Sequence, residues 1–527
     1  MHSTPRYITT PIYYVNDRPH IGHVYTNTLC DVWARYMRFR GEDVFFLSGT
    51  DEHGVKVENS AKARGISPQE LADENAAEFQ RIMGMFDLTN DDFIRTTSDL
   101  HKRQVQALVR KLMASGDVYL GEFEGWYDEG EEEYITETKA KANEFKSVVS
   151  GRPLVRATEK NYYFRLSKYQ RHLETLFDVH PEFVRPTARR NEVLGRLKEG
   201  LLDVPISRSN FTWGIEMPDD PEHVIYVWID ALLNYATGLG VGEEDSELFK
   251  QRGGYWPADY HIIGKEILWF HAVIWPAVLI ALDLELPNCI YAHSFWIAEG
   301  KKMSKSLGNF IDLEKIQSYI DHYGADMWRF FLTTQGPLGA TDADFSQTQF
   351  HEVYSSELVN TVGNCASRVT AMVGKYFDGE LPGECLQGER IAVGNCDWPK
   401  LAADSVSRVD ESMERFDLGA ANQTALALIR SIDAFIQLTE PFRLAKEEGR
   451  REELGAILYQ CLEALRIASL LLWPTMPRKM EELWGALGIN VDPSAGELSA
   501  ACEWGGLAPG TKVTKIALFP RLEFPEE

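Results

Sequence analysis

The chain has no Cys-x-x-Cys pair. Its seven cysteines, at 30, 289, 365, 385, 396, 461 and 502, are scattered. Neither a zinc knuckle nor a disulfide framework is indicated by that spacing, and a reducing compartment, the cytoplasm, is expected. Long apolar runs are also missing. The longest, Ile267 to Leu282, has 16 residues and is interrupted by His271 and Pro276, whereas a membrane-spanning helix needs about 20. Strand-like sequence begins by Tyr7, so no signal or transit segment and no membrane partner are expected. Positive charge is scarce, with 54 Lys and Arg against 79 Asp and Glu and a net charge of −25. General nucleic-acid binders are basic. Any RNA contact would therefore rest on local patches, such as His101-Lys102-Arg103 with Arg110-Lys111, or Arg185 to Arg190 with Arg196 and Lys198. Each reads equally well as the solvated face of a helix. What remains is ordinary for a globular protein, 44% hydrophobic and 25% charged, and 527 residues are enough for two to four domains.

Against this plain background two short cassettes stand out, Pro19-His20-Ile21-Gly22-His23 and Lys302-Met303-Ser304-Lys305-Ser306, with His20 and Lys302 separated by 282 residues. Tyr7 to Thr10 and Ile12 to Val15 read as strand feeding a loop. Asn16-Asp17-Arg18-Pro19 is helix-start chemistry, and Val24, Leu29, Val32, Trp33 and Met37 continue with helical spacing. His20 and His23 then lie one turn apart near a helix N-terminus, where backbone donors and the helix dipole favour anions. Gly22 lets a flat base or sugar approach the backbone. Lys301, Lys302 and Lys305 place three ammonium groups in five residues, suited to charge developing on a departing pyrophosphate. Singly, a His-x-x-His pair is more often a surface or metal pair and a lysine run more often a solvated loop; together and in this order they point to a triphosphate gripped from two sides.

Residues 1–115 alternate strand and helix signals. Val44 to Leu47 is an apolar run of the buried parallel type, ending so that Asp51 falls beyond a strand's carboxyl end, where open parallel sheets bind ligands. Residues 116–225, acidic and then Gly/Pro-marked, break the alternation and read as an insertion. The alternation resumes over 226–295, with strand signals at His223–Trp228, Tyr260–Ile263 and Ile290–His293. The stretch 296–350 holds the lysine cassette and a linker. Residues 351–527 are helical in pattern. The expected fold is α/β, a Rossmann-like parallel-sheet catalytic domain with an inserted connective domain, followed by an all-α bundle.

The two cassettes resemble the signatures of class I aminoacyl-tRNA synthetases. Thr10 to Asn16, Gly49-Thr50-Asp51-Glu52-His53-Gly54, Ile206-Ser207-Arg208, Tyr226 to Ala231, and Gly264 through Pro276 are similar to the methionyl members of that family, over essentially the whole chain. The resemblance implies adenylation of L-methionine by ATP with Mg2+, followed by transfer to the methionine tRNA. It assigns His20, His23, Asp51, Arg208, Lys302 and Lys305 to catalysis, and Asn16, Gly22, Gly264, Glu266, Lys302 and Lys305 to ATP. Ile12, Tyr14, Asp51, Trp228, Ala231, Tyr235, Ile267, Phe270, His271 and Trp275 would form the methionine site, with Asp51 holding the α-ammonium and Arg208 near the carboxylate and α-phosphate. Leu232 stands where many family members have Pro. Asn364 and Arg368, i and i+4 on one helix face, match the family's anticodon-reading pair, and Phe442 after Pro441 takes the place of the usual stacking Trp. Many relatives hold zinc in the insertion through Cys knuckles; with no Cys between 31 and 288, no structural zinc and no metal ligands are expected, and Glu129 to Glu133 read as solvated. Without a further appendage in the reading, a monomer is expected. The rivals are another class I synthetase, for Ile, Val, Leu or Cys, and an inactive tRNA-binding scaffold.

Overall fold

The computed structural model describes residues 5–16, 18–128, 133–135, 137–148, 150–303, 309–381 and 396–524. Its centre is a seven-stranded sheet with the order Tyr13–Tyr14, Asp43–Asp51, Pro5–Thr9, Tyr260–Gly264, Cys289–His293, Val184–Arg185; Asp92–Arg95 also pairs with Asp43–Asp51. Every pairing in it is parallel. Val44 to Leu47 are at most 6% exposed, as a strand covered on both faces must be. The first half of the sheet meets the second where Ile8 and Thr9 pair with Tyr260 and His261, so Asp51, Gly264 and His293 end parallel strands on the same, carboxyl, side of the sheet.

The region read as an insertion does not stay apart. Its core is a four-stranded sheet in which Val118–Asp128 pairs antiparallel with Val155–Phe164, but Val184–Arg185 returns to form the edge strand of the parallel sheet beside Cys289–His293. The strand signal read at His223–Trp228 also resolves differently. Asp220–Ile225 is a strand in a small antiparallel sheet with Ser207–Arg208 and Glu216–Met217, and a helix starts at Val227 and runs to Thr237. The aromatic and β-branched run Val224 to Val227 hides that boundary from propensity, whereas Asp230 in the first helical turn is favoured by the dipole.

After residue 346 the structure is mainly helical, with long helices Asn364–Phe377, Trp398–Glu414, Leu418–Thr439, Arg451–Leu472 and Pro477–Leu487. One apolar core runs without a break from Ile8 and Trp33 of the sheet layer to Leu465 and Leu518 of the helical part. Arg451–Leu472 is long and apolar enough to cross a membrane by length and composition, and 94% of its apolar window is buried inside the protein.

Candidate active site

A cavity of about 460 Å³ opens at the carboxyl ends of the central strands. One side of it is the start of the Ile21–Phe39 helix. His20 is the N-cap: its Nδ1 accepts from the Gly22 N–H at 3.1 Å, while the His20 N–H donates to Nδ1 of His23 at 3.1 Å. This is a capping box built from imidazoles rather than from Ser and Glu. Because each Nδ1 accepts, each Nε2 carries the proton and is a donor. Burial and the neighbouring His20 hold His23 well below the usual histidine range, so its ring is neutral at pH 7. The rings lie 4.0 Å apart. A Cβ at Gly22 would stand 2.9 Å from Cε1 of His20, so the cap geometry itself calls for glycine.

The residues that flank the lysine cassette are held beside the same cavity on both sides. On one side Trp296–Ala298 and Lys301–Lys302 form an antiparallel hairpin, whose turn uses left-handed Glu299 and Gly300 and is tied by the Gly300 N–H to the Asp344 carboxylate at 3.0 Å. Trp296 lines the cavity. On the other side Asp312 bridges to His20, Ile311 O accepts from the Ile21 N–H at 3.0 Å, and the Phe310 ring meets His20 edge-on at 5.3 Å. Lys305 lies outside the described residues, as does the side chain of Lys302.

The opposite side is suited to an uncharged side chain. Tyr14 pairs with Asp51 in strand register, and Trp228 stacks on Phe270 at 3.9 Å. The Tyr235 hydroxyl lies 2.7 Å from Nε2 of His271, whose Nδ1 lies 3.0 Å from the Ile267 carbonyl. Nδ1–H therefore donates to that carbonyl and Nε2 accepts from the tyrosine. Burial pushes His271 down to about 4 and Tyr235 well up, so the pair is neutral. A wall of this kind gives aliphatic and aromatic contact with one polar pair and no charge, as a thioether side chain requires.

The third side is polar. Gly264 ends its strand, and a Cβ there would be 2.3 Å from Oε2 of Glu266; the exposed Glu266 carboxylate folds over the strand end. His293 is fixed by Nδ1–H to the Ser294 carbonyl at 2.8 Å, leaving Nε2, 2.9 Å from Oγ1 of Thr26, to accept from that hydroxyl. Burial lowers His293 to about 4.

Of the residues expected at the site, Ile12, Tyr14, His20, Gly22, His23, Asp51, Trp228, Ala231, Tyr235, Gly264, Glu266, Ile267 and His271 line the cavity. Phe270 backs Trp228, and Trp275 is fully buried behind the wall, its indole N–H donating to His261 at 3.2 Å. Arg208 is buried but off the cavity, its guanidinium 4.2 Å over the Tyr226 ring. Asn16 is exposed in the preceding turn. Residues not expected at the cavity include Lys56, Thr26, His293 and Phe295. Of these, only His293, the last residue of an apolar strand, carried a positional signal. On the helical side Asn364 and Phe442 are exposed, and Arg368 donates to Asp433 at 2.9 Å. Both candidate basic patches are largely matched by acids: Arg103 with Glu243, Lys111 with Glu244, Arg185 with Glu182, Arg189 with Glu192. Among the described residues no group of three or more His, Cys, Asp or Glu is arranged to hold a metal; Glu129 to Glu132 lie outside them.

The chain matches the model of the family described as "tRNA synthetases class I (M)" over residues 6–143 and 138–370. It is 41% identical to a methionine–tRNA ligase of Halalkalibacterium halodurans, covering 99% of this chain and 79% of the relative. It is 40% identical to that of Bacillus subtilis, at 99% and 78% coverage. Among solved structures it is similar to the Mycobacterium tuberculosis methionyl-tRNA synthetase in complex with methionyl-adenylate, with a TM-score of 0.89, 36% identity, and coverage of 98% of this chain and 100% of that one. The apo form of that enzyme aligns with a TM-score of 0.85 and 34% identity, covering 99% of each chain.

Proposed function

The chain belongs to the class I tRNA synthetases of the methionine type, and from that membership we infer that it activates L-methionine with ATP and passes the methionyl group to the methionine tRNA for translation. The observation that carries this reading is one cavity holding a pair of Nε2–H imidazoles at a helix start, a strand-end carboxylate and a neutral Tyr–His wall.

In the first step a methionine carboxylate oxygen attacks the α-phosphorus of ATP, the bond to the β-phosphate oxygen breaks, and pyrophosphate leaves. In the second, a terminal ribose hydroxyl of the tRNA attacks the acyl carbon and AMP leaves. No protein nucleophile is needed; the work is positioning and charge stabilisation. We assign the Nε2–H groups of His20 and His23 to the transferring phosphate, and Lys302 and Lys305 to the β- and γ-phosphates. Asp51 takes the α-ammonium, and Ile12, Tyr14, Trp228, Ala231, Tyr235, Ile267 and His271 surround the side chain, with Phe270 and Trp275 supporting them from behind. Gly264 and Glu266 take the ribose and Asn16 the nucleotide's approach. Arg208 reaches the carboxylate and α-phosphate only if its side chain leaves the Tyr226 ring. Mg2+ would accompany ATP as part of the substrate and would supply charge neutralisation on the polyphosphate, beside the donors given to His20, His23, Lys302 and Lys305. Asn364, Arg368 and Phe442 are assigned to the anticodon, and the divisions 1–115, 116–225, 226–295, 296–350 and 351–527 to the parts named above. A monomeric, cytoplasmic enzyme fits this reading.

ATP–pyrophosphate exchange across the twenty amino acids tests it. Exchange driven by methionine, and not by isoleucine, valine, leucine or cysteine, is expected; exchange with another amino acid, or none, overturns it. Lys305→Ala is expected to slow that exchange by about a hundredfold or more while methionine binding persists. Near-normal exchange refutes the role given to Lys305.

A further inference from the structure

Directly behind the amino-acid wall lies a buried cluster that the mechanism above does not use. The Asp230 carboxylate, 0% exposed, lies 2.6 Å from Nδ1 of His53 and 2.6 Å from Nε2 of His101. Nδ1 of His101 lies 2.7 Å from the Thr237 hydroxyl. His53 and His101 are at most 2% exposed. With Asp230 ionised, both imidazoles present N–H to it, and the hydrogen bond between Nδ1 of His101 and the Thr237 hydroxyl completes the chain. His101, from the Asp99–Ala114 helix, therefore holds the Val227–Thr237 helix at two points two turns apart. His53 follows Asp51 by two residues, in a loop further clamped by the Trp213 indole N–H on the Glu52 carbonyl and by the Gly54 N–H on the Trp213 carbonyl.

Asp230 shares its helical turn with Trp228 and Ala231, which face the cavity; at 100° per residue Asp230 points away from it. The cluster thus links, through two short charge-assisted bonds, the strand end that carries Asp51 to the helix that carries the apolar wall. A fully buried carboxylate with two imidazole partners is an expensive way to join a helix to a loop, since apolar packing serves stability as well. What it adds is a fixed spacing.

We propose that His53, Asp230 and His101 are positioning residues of the amino-acid site, which set the distance between the Asp51 carboxylate and the Trp228–Ala231 wall and thereby the affinity for the amino acid. This rests on the roles given above to Asp51 and the wall. The test is pyrophosphate exchange with methionine and ATP varied separately. His53→Ala is expected to raise the methionine KM about tenfold while kcat and the ATP KM stay within about threefold. His53→Asn, whose amide N–H replaces Nδ1–H, is expected to restore the methionine KM to within about threefold of the parent. Thr237→Val, nearly isosteric, removes only the outer partner of His101 and is expected to raise the methionine KM about threefold; it carries the test if His53→Ala does not fold. An unchanged methionine KM in His53→Ala or Thr237→Val, equal effects on all three parameters, or failure of His53→Asn to restore overturns the proposal. Absence of methionine-driven exchange in the parent would instead sink the functional reading.

Discussion

At the residue scale, histidine chemistry dominates the site, and in each case the structure fixes which nitrogen carries the proton. His20 and His23 spend Nδ1 on backbone N–H groups, which puts the proton on Nε2; His271 and His293 spend Nδ1–H on carbonyls and keep Nε2 as an acceptor. The first pair suits an anion and the second a neutral surface. His23 and His261 are held well below their usual value of 6.5, and His271 and His293 at about 4, chiefly by burial. The unfolded chain therefore binds more protons below pH 6.5 than the folded one does. The stability these groups contribute is complete above 6.5 and is lost as the pH falls toward 4. Asp230, lowered to about 2, contributes stability of the same sense in a lower window, complete above 3.8 and lost as the pH falls from there toward 2. The urea midpoint is thus expected to fall between about pH 6.5 and 5, above the ordinary carboxylate range, and His271→Gln is expected to reduce that fall. A flat midpoint over this window contradicts the assignment of neutral, buried rings.

At the element scale, the flanks of the lysine segment are stitched down on both sides, to Trp296–Ala298 before it and to the His20 cap after it. The Asp344 carboxylate, accepting from the Gly300 N–H, sets the turn that aims this segment. Asp344→Ala is expected to raise the ATP KM in pyrophosphate exchange by roughly three- to tenfold, while the methionine KM changes little; an equal rise in both would show that the turn does not act on the nucleotide side. Little of this stitching was legible in the sequence. Periodicity and turn residues locate the His20 helix start and the Val44–Leu47 part of a strand that in the structure runs on to Asp51 itself, because local chemistry determines both. The bridge between His20 and Asp312 is a pairing of residues far apart in the chain, which no local pattern encodes. The same reason explains why sequence alone puts Val184–Arg185 in an insertion, whereas the helix at Val227 is hidden by the local β propensity of Val224 to Val227.

At the scale of the whole molecule, the sheet and the helical part share one core, and the helix that begins at His20 is gripped from the far side. Arg329, 0% exposed, donates to Asp31 at 2.7 Å and to the carbonyls of Pro474, Thr475 and Phe86. Asp31 also accepts from Arg35 and Thr89. A lone buried charge would be costly, but here every guanidinium nitrogen has an acceptor and the charge has a carboxylate partner. The active-site helix, the Ala325–Gln335 helix and the end of Arg451–Leu472 are thereby joined at one point, which composition gave no hint of. The net charge of −25 is spread so that several basic residues of both candidate patches already face acids, so binding of a tRNA should depend on shape and on few phosphate contacts.

The most direct measurement follows the reaction intermediate. Enzyme is mixed with methionine and ATP labelled at the α-phosphate, and the protein is separated from free nucleotide. The account predicts label retained as enzyme-bound methionyl-adenylate, close to one per chain, only when methionine is present, and released as AMP when methionine tRNA is added. Protein that retains no labelled adenylate, or an adenylate that forms equally with other amino acids, would contradict it.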